Sequence, residues 1–273
     1  MAIDVDNAFV KQYESDVKLA YQRMGSKLAN TVRKKNNVKG ESTTFQTVGT
    51  GTAGQKSRHG DVPVMSINHT PVECTLQDWY AADYIDKLDE LKINHDERMV
   101  VAQSAAAALG RRTDLLITTA MSGGTNTEVH GGTGMTAGKV NVVFANFGEN
   151  DVPDDGDRYA AISPDSWIDL LGITAFSDAD FIGSDNLPYK GGMVARRWLG
   201  FMFFTHSGLE ITSTTRNNYF YHRTAVGCAS GQDVTTKFDW VPQKAAHLSN
   251  SMMSQGAVII DNTGLYVVET TES

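Results

Sequence analysis

Cysteine is scarce in this sequence: Cys74 and Cys228 are the only two, far apart and in no C-x-x-C pair. That spacing excludes a disulfide-dense scaffold. One long-range disulfide is open, but two free thiols in a reducing compartment are the expectation. No apolar run approaches the ~18 residues of a membrane-spanning helix, so no span is expected. Residues 1–9 carry Asp4 and Asp6 where a basic n-region would stand, which argues against a secretory signal. The product is expected to be made and kept in a cytoplasm, or in something assembled there. Positive charge is also in deficit, with 24 Lys and Arg against 32 Asp and Glu and a net charge of −8. A dedicated DNA-coating protein needs a basic excess, so that class is disfavoured. A shell that merely encloses nucleic acid is not.

Familiar chemistry is missing too. The seven histidines show no H-x-x-x-H spacing and do not flank the cysteines, so no zinc site is visible. No G-x-S-x-G elbow occurs. Gly49-x-Gly51-x-x-Gly54 matches a dinucleotide fingerprint on paper, yet Gln55 to Asp61 and then Pro63 offer no helix to receive a pyrophosphate. The same stretch fails as a P-loop because Gln55 precedes Lys56 and Ser57, and the run from Gly132 to Lys139 is followed by Val140 instead of a hydroxyl. The acidic group Asp151, Asp154, Asp155 and Asp157 has Pro153 at the third calcium-loop ligand and Ile162 at the bidentate one, so a solvated turn is expected. Trp79, Trp167, Trp198 and Trp240 are scattered singly and read as core or interface anchors. Catalytic, cofactor and metal residues are therefore expected to be absent. An enzyme would need convergent titratable groups that these residues do not display.

What is present is an ordinary globular balance, 41% hydrophobic and 21% charged over 273 residues, enough for one large domain or two modest ones. Residues 1–40 read as a polar, helix-capable arm with Phe9, Tyr13, Val17 and Ala20 on one stripe. Its basic triplet Arg33, Lys34 and Lys35 reads as a solvated helix end, or else as a contact to an acidic neighbour or packaged nucleic acid. Residues 41–78 read as an extended hairpin. Thr43, Phe45, Thr47 and Val48 lead out to a Gly-rich tip, and Val62, Val64, Met65, Ile67, Val72, Cys74 and Leu76 lead back. A lone hairpin is marginal in water, so it must pack on something not evident locally.

Tyr84, Ile85, Leu88 and Leu91 suggest a short amphipathic helix, and Asn94 three residues before Glu97 suggests the cap of a long one. No proline interrupts the run to Met121, and Val101, Ala105, Leu109, Leu116 and Ala120 share a face. Gly110 should cost up to ~1 kcal/mol there. A Gly/Thr loop, 122–138, follows. Tyr159 to Ile162, Ser163 and Pro164 read as strand, N-cap and first helical residue, with Trp167, Leu170 and Leu171 facing a core and Gly172 closing the helix. The C-terminal third is strand-rich, from the bulky run 193–204 to an expected hairpin that turns at Asp261-Asn262-Thr263-Gly264 between Val258-Ile259-Ile260 and Tyr266-Val267-Val268.

In this order the segments resemble the major capsid proteins of tailed bacteriophages, the Hong Kong ninety-seven type fold. The likeness rests on Tyr84-Ile85-Asp86-Lys87-Leu88-Asp89, Asp96-Glu97-Arg98, the run Ala108 to Asp114, the run Arg158 to Pro164 with Trp167, and the run Tyr221 to Gly227. It implies an α+β fold with residues 1–40 as N-terminal arm, 41–78 as extended loop, 79–144 as peripheral domain with the spine helix, 145–225 as axial domain and 226–273 as peripheral-domain strands. The arm and loop would lie over neighbouring subunits, which would supply the hairpin's missing layer. Function would be self-assembly through repeated heterologous contacts into hexamers and pentamers of an icosahedral head in the virion, enclosing double-stranded DNA without sequence-specific binding. Arg33, Lys34, Lys35, Lys56 and Arg58 are the candidate inter-subunit contacts. Portal protein and a separate scaffolding protein would be partners, since the short arm leaves no room for an attached scaffold, and assembly would occur in the host bacterial cytoplasm. The alternatives are an encapsulin-type nanocompartment shell, or a phage surface or tail protein; the latter fits the long alanine-rich helix poorly.

Overall fold

The computed structural model describes residues 22–90, 96–177 and 192–272. The stripe at Phe9, Tyr13, Val17 and Ala20 lies outside them, as do Leu91 and Asn94. Helix and sheet are mixed, as the α+β expectation requires.

The first strand among the described residues is β1 (Arg33–Lys35), which pairs parallel with Gly227 to Ala229 of strand β11 (Val226–Val241). The basic triplet is thus an edge strand, not a helix end. The expected hairpin forms from β2 (Ser42–Val48) and β3 (His69–Thr75), antiparallel from Ser42 opposite Thr75 to Val48 opposite His69. Its return differs from expectation: residues 61–68 form no strand, and Val62, Val64 and Met65 are exposed, Val64 by 89%. The hairpin's base finds its second layer within the same chain. Phe45 and Cys74 pack with Ala229 and Ile260. A Cβ at Gly227 would sit 2.9 Å from the Phe45 ring, so glycine there is what seats the ring.

Strand β4 (Gln77–Asp86) corrects the helix expected at Tyr84 and Ile85. Ile85 is buried while Tyr80 and Tyr84 are 65% and 46% exposed, a period-2 pattern. Among the described residues one helical turn follows, α1 (Lys87–Glu90). The helical spacing of 84, 85, 88 and 91 competed with the open edge of β12 (Ala246–Ile259), which β4 covers over ten residues, and the ladder won. The resulting sheet has the order β1-β11-β12-β4.

The long helix α2 (Glu97–Met121) ends where the sequence indicated. Its cap is Asp96, whose carboxylate accepts from the N–H groups of Arg98 and Met99. The buried face differs from the expected one. Of Val101, Ala105, Leu109, Leu116 and Ala120 only Leu109 is buried; the buried set includes Ala107, Gly110, Asp114, Ile117 and Met121. The reason is that α2 is gripped by backbone as well as by side chains. A Cβ at Gly110 would lie 2.6 Å from the backbone of Gly25, so this glycine admits a crossing strand of chain and is no mere propensity cost.

The second sheet has the order β5-β13-β10-β6-β8-β7, with β9 on the side of β10. Its strands are β5 (Thr127–Glu128), β6 (Arg158–Ile162), β7 (Arg196–Trp198), β8 (Phe201–Thr205), β9 (Ile211–Thr212), β10 (Thr215–His222) and β13 (Leu265–Thr271). Alternation gives each face its own core. Ala160, Ile162, Phe220, Tyr266 and Val268 face α3 (Ala137–Glu149), α4 (Pro164–Leu171) and α5 (Thr174–Ser177). Ala161, Tyr219, Tyr221, Leu265 and Val267 face Ile117 and Met121 of α2 together with Leu28 and Val32. Phe147, Phe201, Phe203 and Phe220 meet edge to face at centroid distances of 5.1–5.7 Å along the pairs Phe147–Phe201, Phe201–Phe220 and Phe203–Phe220.

The strand–cap–helix reading at 158–172 matches residue by residue. Ser163 Oγ accepts from the Ser166 N–H, Trp167 and Leu170 are buried, and Gly172 caps the end. Helix α3, capped by Thr136, was not expected. The expected C-terminal hairpin is corrected: the turn exists at Asn262–Gly264, but β12 pairs with β11 and β4, and β13 with β10 and β5. Both edges of β12 are already occupied, so β13 crosses into the other sheet.

Candidate assembly surfaces

The five candidate basic residues fall into two groups. Arg33, Lys34 and Lys35 are exposed on β1, at the base of the hairpin. There Lys34 Nζ donates to Asn30 Oδ1 at 2.9 Å and Lys35 Nζ to the Thr44 carbonyl at 3.2 Å, and the Arg33 guanidinium stands 5.7 Å from the Phe45 ring centre. With Thr44, Phe45 and Gln46 the triplet lines an open cleft of about 250 Å³. Lys56 and Arg58 sit in the exposed 49–68 tip, and among the described residues neither has an ion-pair partner. The same tip leaves Val62, Val64, Met65 and Ile67 in solvent. Large apolar side chains clustered in one segment mark a contact surface more often than chance exposure does.

The four-stranded sheet adds open edges. Among the described residues β4 pairs on one side only, and β11 beyond Ser230, which takes the Val38 N–H, has no strand on its β1 side. Val234, Phe238 and Trp240 are exposed along that stretch. Free ladders of this kind recruit further strands or must be covered.

Charge inside the molecule is structural. Asp114, on the buried face of α2, is fully buried and accepts from Ser26 Oγ at 2.5 Å, the Leu28 N–H at 3.1 Å and His206 Nε2 at 3.0 Å. Arg23 Nε lies 3.6 Å from the same carboxylate. Burial by itself would raise the Asp114 pKa; the hydrogen bonds from His206, Ser26 and Leu28 outweigh it and hold the carboxyl below its ordinary 3.8. Serine, histidine and aspartate meet here, yet Ser26 donates to the carboxylate and not to the imidazole. No base is in place to activate a nucleophile. What the cluster does is clamp the chain at 23–28 onto α2 and onto the loop after β8.

Two further nodes tie the seven-stranded sheet. Lys139 Nζ is within 3.0 Å of the carbonyls of His130, Thr133, Gly134 and Glu269. Desolvation lowers its pKa against the opposing pull of Glu128, Asp169 and Glu269. Glu272 accepts from Ser163 Oγ and pairs with Arg216 Nε at 2.8 Å. The acidic turn is consumed locally: Asp155 takes the Asp157 N–H and His222, and Asp157 lies 3.7 Å from Arg223. Among the described residues no group of three or more His, Cys, Asp or Glu is arranged to hold a metal ion, and no helix is long and apolar enough to cross a membrane. Cys74 and Cys228 are free and buried, with burial raising the pKa of both thiols, that of Cys228 to about 11. Sequence spacing could not have flagged Asp114 or Lys139, because their partners lie far along the chain; a lone Asp in the middle of an otherwise apolar helical face was the single hint.

The model of the phage capsid protein family matches residues 5–272. Solved structures share the fold over nearly the whole chain. The capsid of the cyanophage P-SCSP1u aligns with a TM-score of 0.74 at 17% identity, covering 97% of this chain and 94% of that one. Mycobacterium phage Che8 gives 0.75 at 17%, covering 96% and 97%. The capsid of a native GTA particle gives 0.73 at 14%, covering 98% and 97%. No curated protein matches the chain in sequence.

Proposed function

The chain belongs to the phage capsid protein family, a major capsid protein of the Hong Kong ninety-seven type, and from that premise we propose how its surfaces build a shell. Copies associate as pentamers and hexamers of an icosahedral head that encloses double-stranded DNA in the virion. Assembly takes place in the host bacterial cytoplasm with a portal protein and a separate scaffolding protein. The protein's work is contact, without catalysis. The four-stranded sheet with most of α2 serves as peripheral domain. The seven-stranded sheet with α3, α4 and α5 serves as axial domain at the five-fold and six-fold axes, and β13 joins it from the far end of residues 226–273.

The observation that carries this reading is the hairpin. Its base is packed by Ala229 and Ile260 of its own chain, while its tip offers exposed Val62, Val64, Met65 and Ile67 beside Lys56 and Arg58. Such a tip is stable in solution only as a marginal structure and gains a second layer when laid on another copy. Lys56 and Arg58 then meet carboxylates of the neighbour, and the Arg33, Lys34 and Lys35 edge forms a second, salt-sensitive contact.

The test is assembly of the full chain with its scaffolding protein, imaged by electron microscopy. Closed shells with five-fold and six-fold units are expected. The double charge reversal Lys56→Glu with Arg58→Glu should leave subunit folding intact by circular dichroism and cut shell yield severalfold. Unchanged yield and shell stability would remove these two residues from the interface. A small closed oligomer with no shells would remove the shell reading itself, and shells filled with protein cargo and free of DNA would point to a nanocompartment.

A further inference from the structure

The hairpin tip holds extended chain without a ladder. Residues 61–67 form no strand, and among the described residues no backbone hydrogen bond joins them to another segment. The hairpin's last such bond runs from the Gly49 N–H to the Asn68 carbonyl at 2.8 Å. The composition nonetheless suits a strand. Val62 and Val64, two residues apart and so on one face of an extended chain, are 70% and 89% exposed. Met65 and Ile67, on the opposite face, are 51% and 37% exposed.

The four-stranded sheet holds a ladder without a strand. β11 pairs with β12 in unbroken register from Thr235 to Val241, and among the described residues no strand lies on its other side there. Phe238 stands opposite Ser249 and Trp240 opposite His247, while Met253 of the same face of β12 stands opposite Trp79. Arg112 of α2 covers the Trp79 ring at 3.5 Å, so Phe238 and Trp240 also point to the α2 side of the sheet. They stay 41% and 46% exposed, because α2 seats on β12 and β4 through Thr113–Gln255 and Arg112–Trp79. Residues 61–67 and 235–241 are both seven residues long. At strand rise each runs about 24 Å.

We propose that residues 61–67 of one subunit add as a further strand along Thr235 to Val241 of β11 in a second copy, bringing Val62 and Val64 beside Phe238 and Trp240. This rests on the shell reading above and names the surface on which the tip is laid. Strand addition gives hydrogen-bond partners to two open backbones and covers apolar side chains from both, which an ion pair alone does not. Charge agrees: Lys56, Arg58 and Asp61 on the tip sum to +1, and Asp233, Lys237 and Asp239 on β11 to −1. Pro63 has no N–H and fits such a strand only with its nitrogen on the outer edge. Val62 and Val64 then present their N–H groups to β11, and Pro63 blunts the new edge against a second addition. The edge of β4 offers less, since on its α2 side Ile85 is buried and Trp79 is already covered by Arg112. Every copy carries both halves, so the contact is heterologous and repeats from copy to copy.

The experiment compares hydrogen exchange of the unmodified full chain as free subunit and as shells assembled with its scaffolding protein. The amides of Val62 and Val64, and those of 235–241 that face away from β12, should slow roughly tenfold or more on assembly. Shells in which either stretch exchanges as in the free subunit leave the shell reading standing and overturn this one; no shells at all from the unmodified chain overturn the shell reading, and this one with it. Placement is read by co-assembling Val64→Cys subunits with Phe238→Cys subunits and adding a short bis-maleimide, to which the buried Cys74 and Cys228 are closed. Chain-to-chain links are expected, and far fewer when Tyr80→Cys on the β4 edge replaces Phe238→Cys. Preferential linking to position 80, or shells without links at position 238, overturn the placement on β11.

Discussion

Replacing Asp114 by alanine should be among the most damaging single changes in this protein. The carboxylate is fully buried, and its loss would strand Ser26 Oγ, the Leu28 N–H and the His206 imidazole, and leave Arg23 with its guanidinium facing a buried site without a counter-charge. Removing one partner of a buried, hydrogen-bonded charge pair costs about 3–5 kcal/mol. With an m value of about 3 kcal/mol/M in urea, the unfolding midpoint of the unassembled subunit should fall by about 1–1.7 M. Asp114→Asn keeps an acceptor and should lose roughly half as much. The sign of the pH dependence follows from the lowered pKa. A depressed carboxyl binds fewer protons folded than unfolded, so its stabilisation is complete well above 3.8 and is lost as pH falls through the folded value. The gap between the native protein and Asp114→Ala should therefore narrow in acid. Hydrogen exchange should localise the damage to residues 22–32. A midpoint shift below about 0.3 M at neutral pH, or a gap that stays constant into acid, would refute the reasoning.

Other changes test other joints. Gly110→Ala gains at most about 1 kcal/mol of helix propensity but forces a methyl to 2.6 Å from the Gly25 backbone, so a net loss of about 1–2 kcal/mol is expected, read as a lower melting temperature and faster proteolysis near residue 23. Phe45→Ala should free the hairpin base, raising amide exchange in 42–48 and 69–75 while α2 exchanges as before; unaltered hairpin exchange would mean the base is held by something else. Ser163→Ala removes the α4 cap and the hydroxyl that reaches Glu272, for about 1–2 kcal/mol by thermal denaturation. Lys139→Met removes a donor from four carbonyls, of which those of His130 and Thr133 keep another, and should cost about 1–3 kcal/mol, with new exchange at the β5–β13 edge.

Local signals in the sequence were reliable where the structure is local. Ser163 before Pro164, the proline-free alanine-rich run to Met121, and the Thr43–Phe45–Thr47 alternation all describe elements that form as read, although the cap of the long helix is Asp96 where the spacing suggested Asn94. The failures share a cause. Tyr84 and Ile85 suit helix and strand equally by spacing, and the open edge of β12, more than 160 residues onward, decided between them. Val258 to Val268 looks like a hairpin because nothing local reveals that β12 is already flanked on both sides. Helix α3 was not read because Gly138, Gly148 and the valines at 140, 142 and 143 weigh against a helix locally; what forms it is the packing of Val140, Val143 and Phe147 on one face of the second sheet. Of the interior nodes, Asp114 and His206 are 92 residues apart in sequence, and the lone acid on the α2 face was the one hint to the pair. The five basic residues were visible as charge, but only the folded chain separates an edge strand at 33–35 from a projecting tip at 56–58.

The unbroken run of α2 has a mechanical meaning. At 25 residues it is a beam of about 37 Å, hydrogen-bonded to β12 through Thr113 and Gln255, laid on β4 through Arg112 and Trp79, and packed into the core of the second sheet through Ile117 and Met121 near its end. It contains no proline, and Gly110, the one residue that could soften it, is pinned by Gly25. A load that tilts one sheet against the other therefore cannot be absorbed by flexure of this member. It must be taken up as slip at the α2–β12 surface or as peeling of residues 23–28 from the helix, and the Arg23–Asp114–His206 clamp stands at the point where peeling would start.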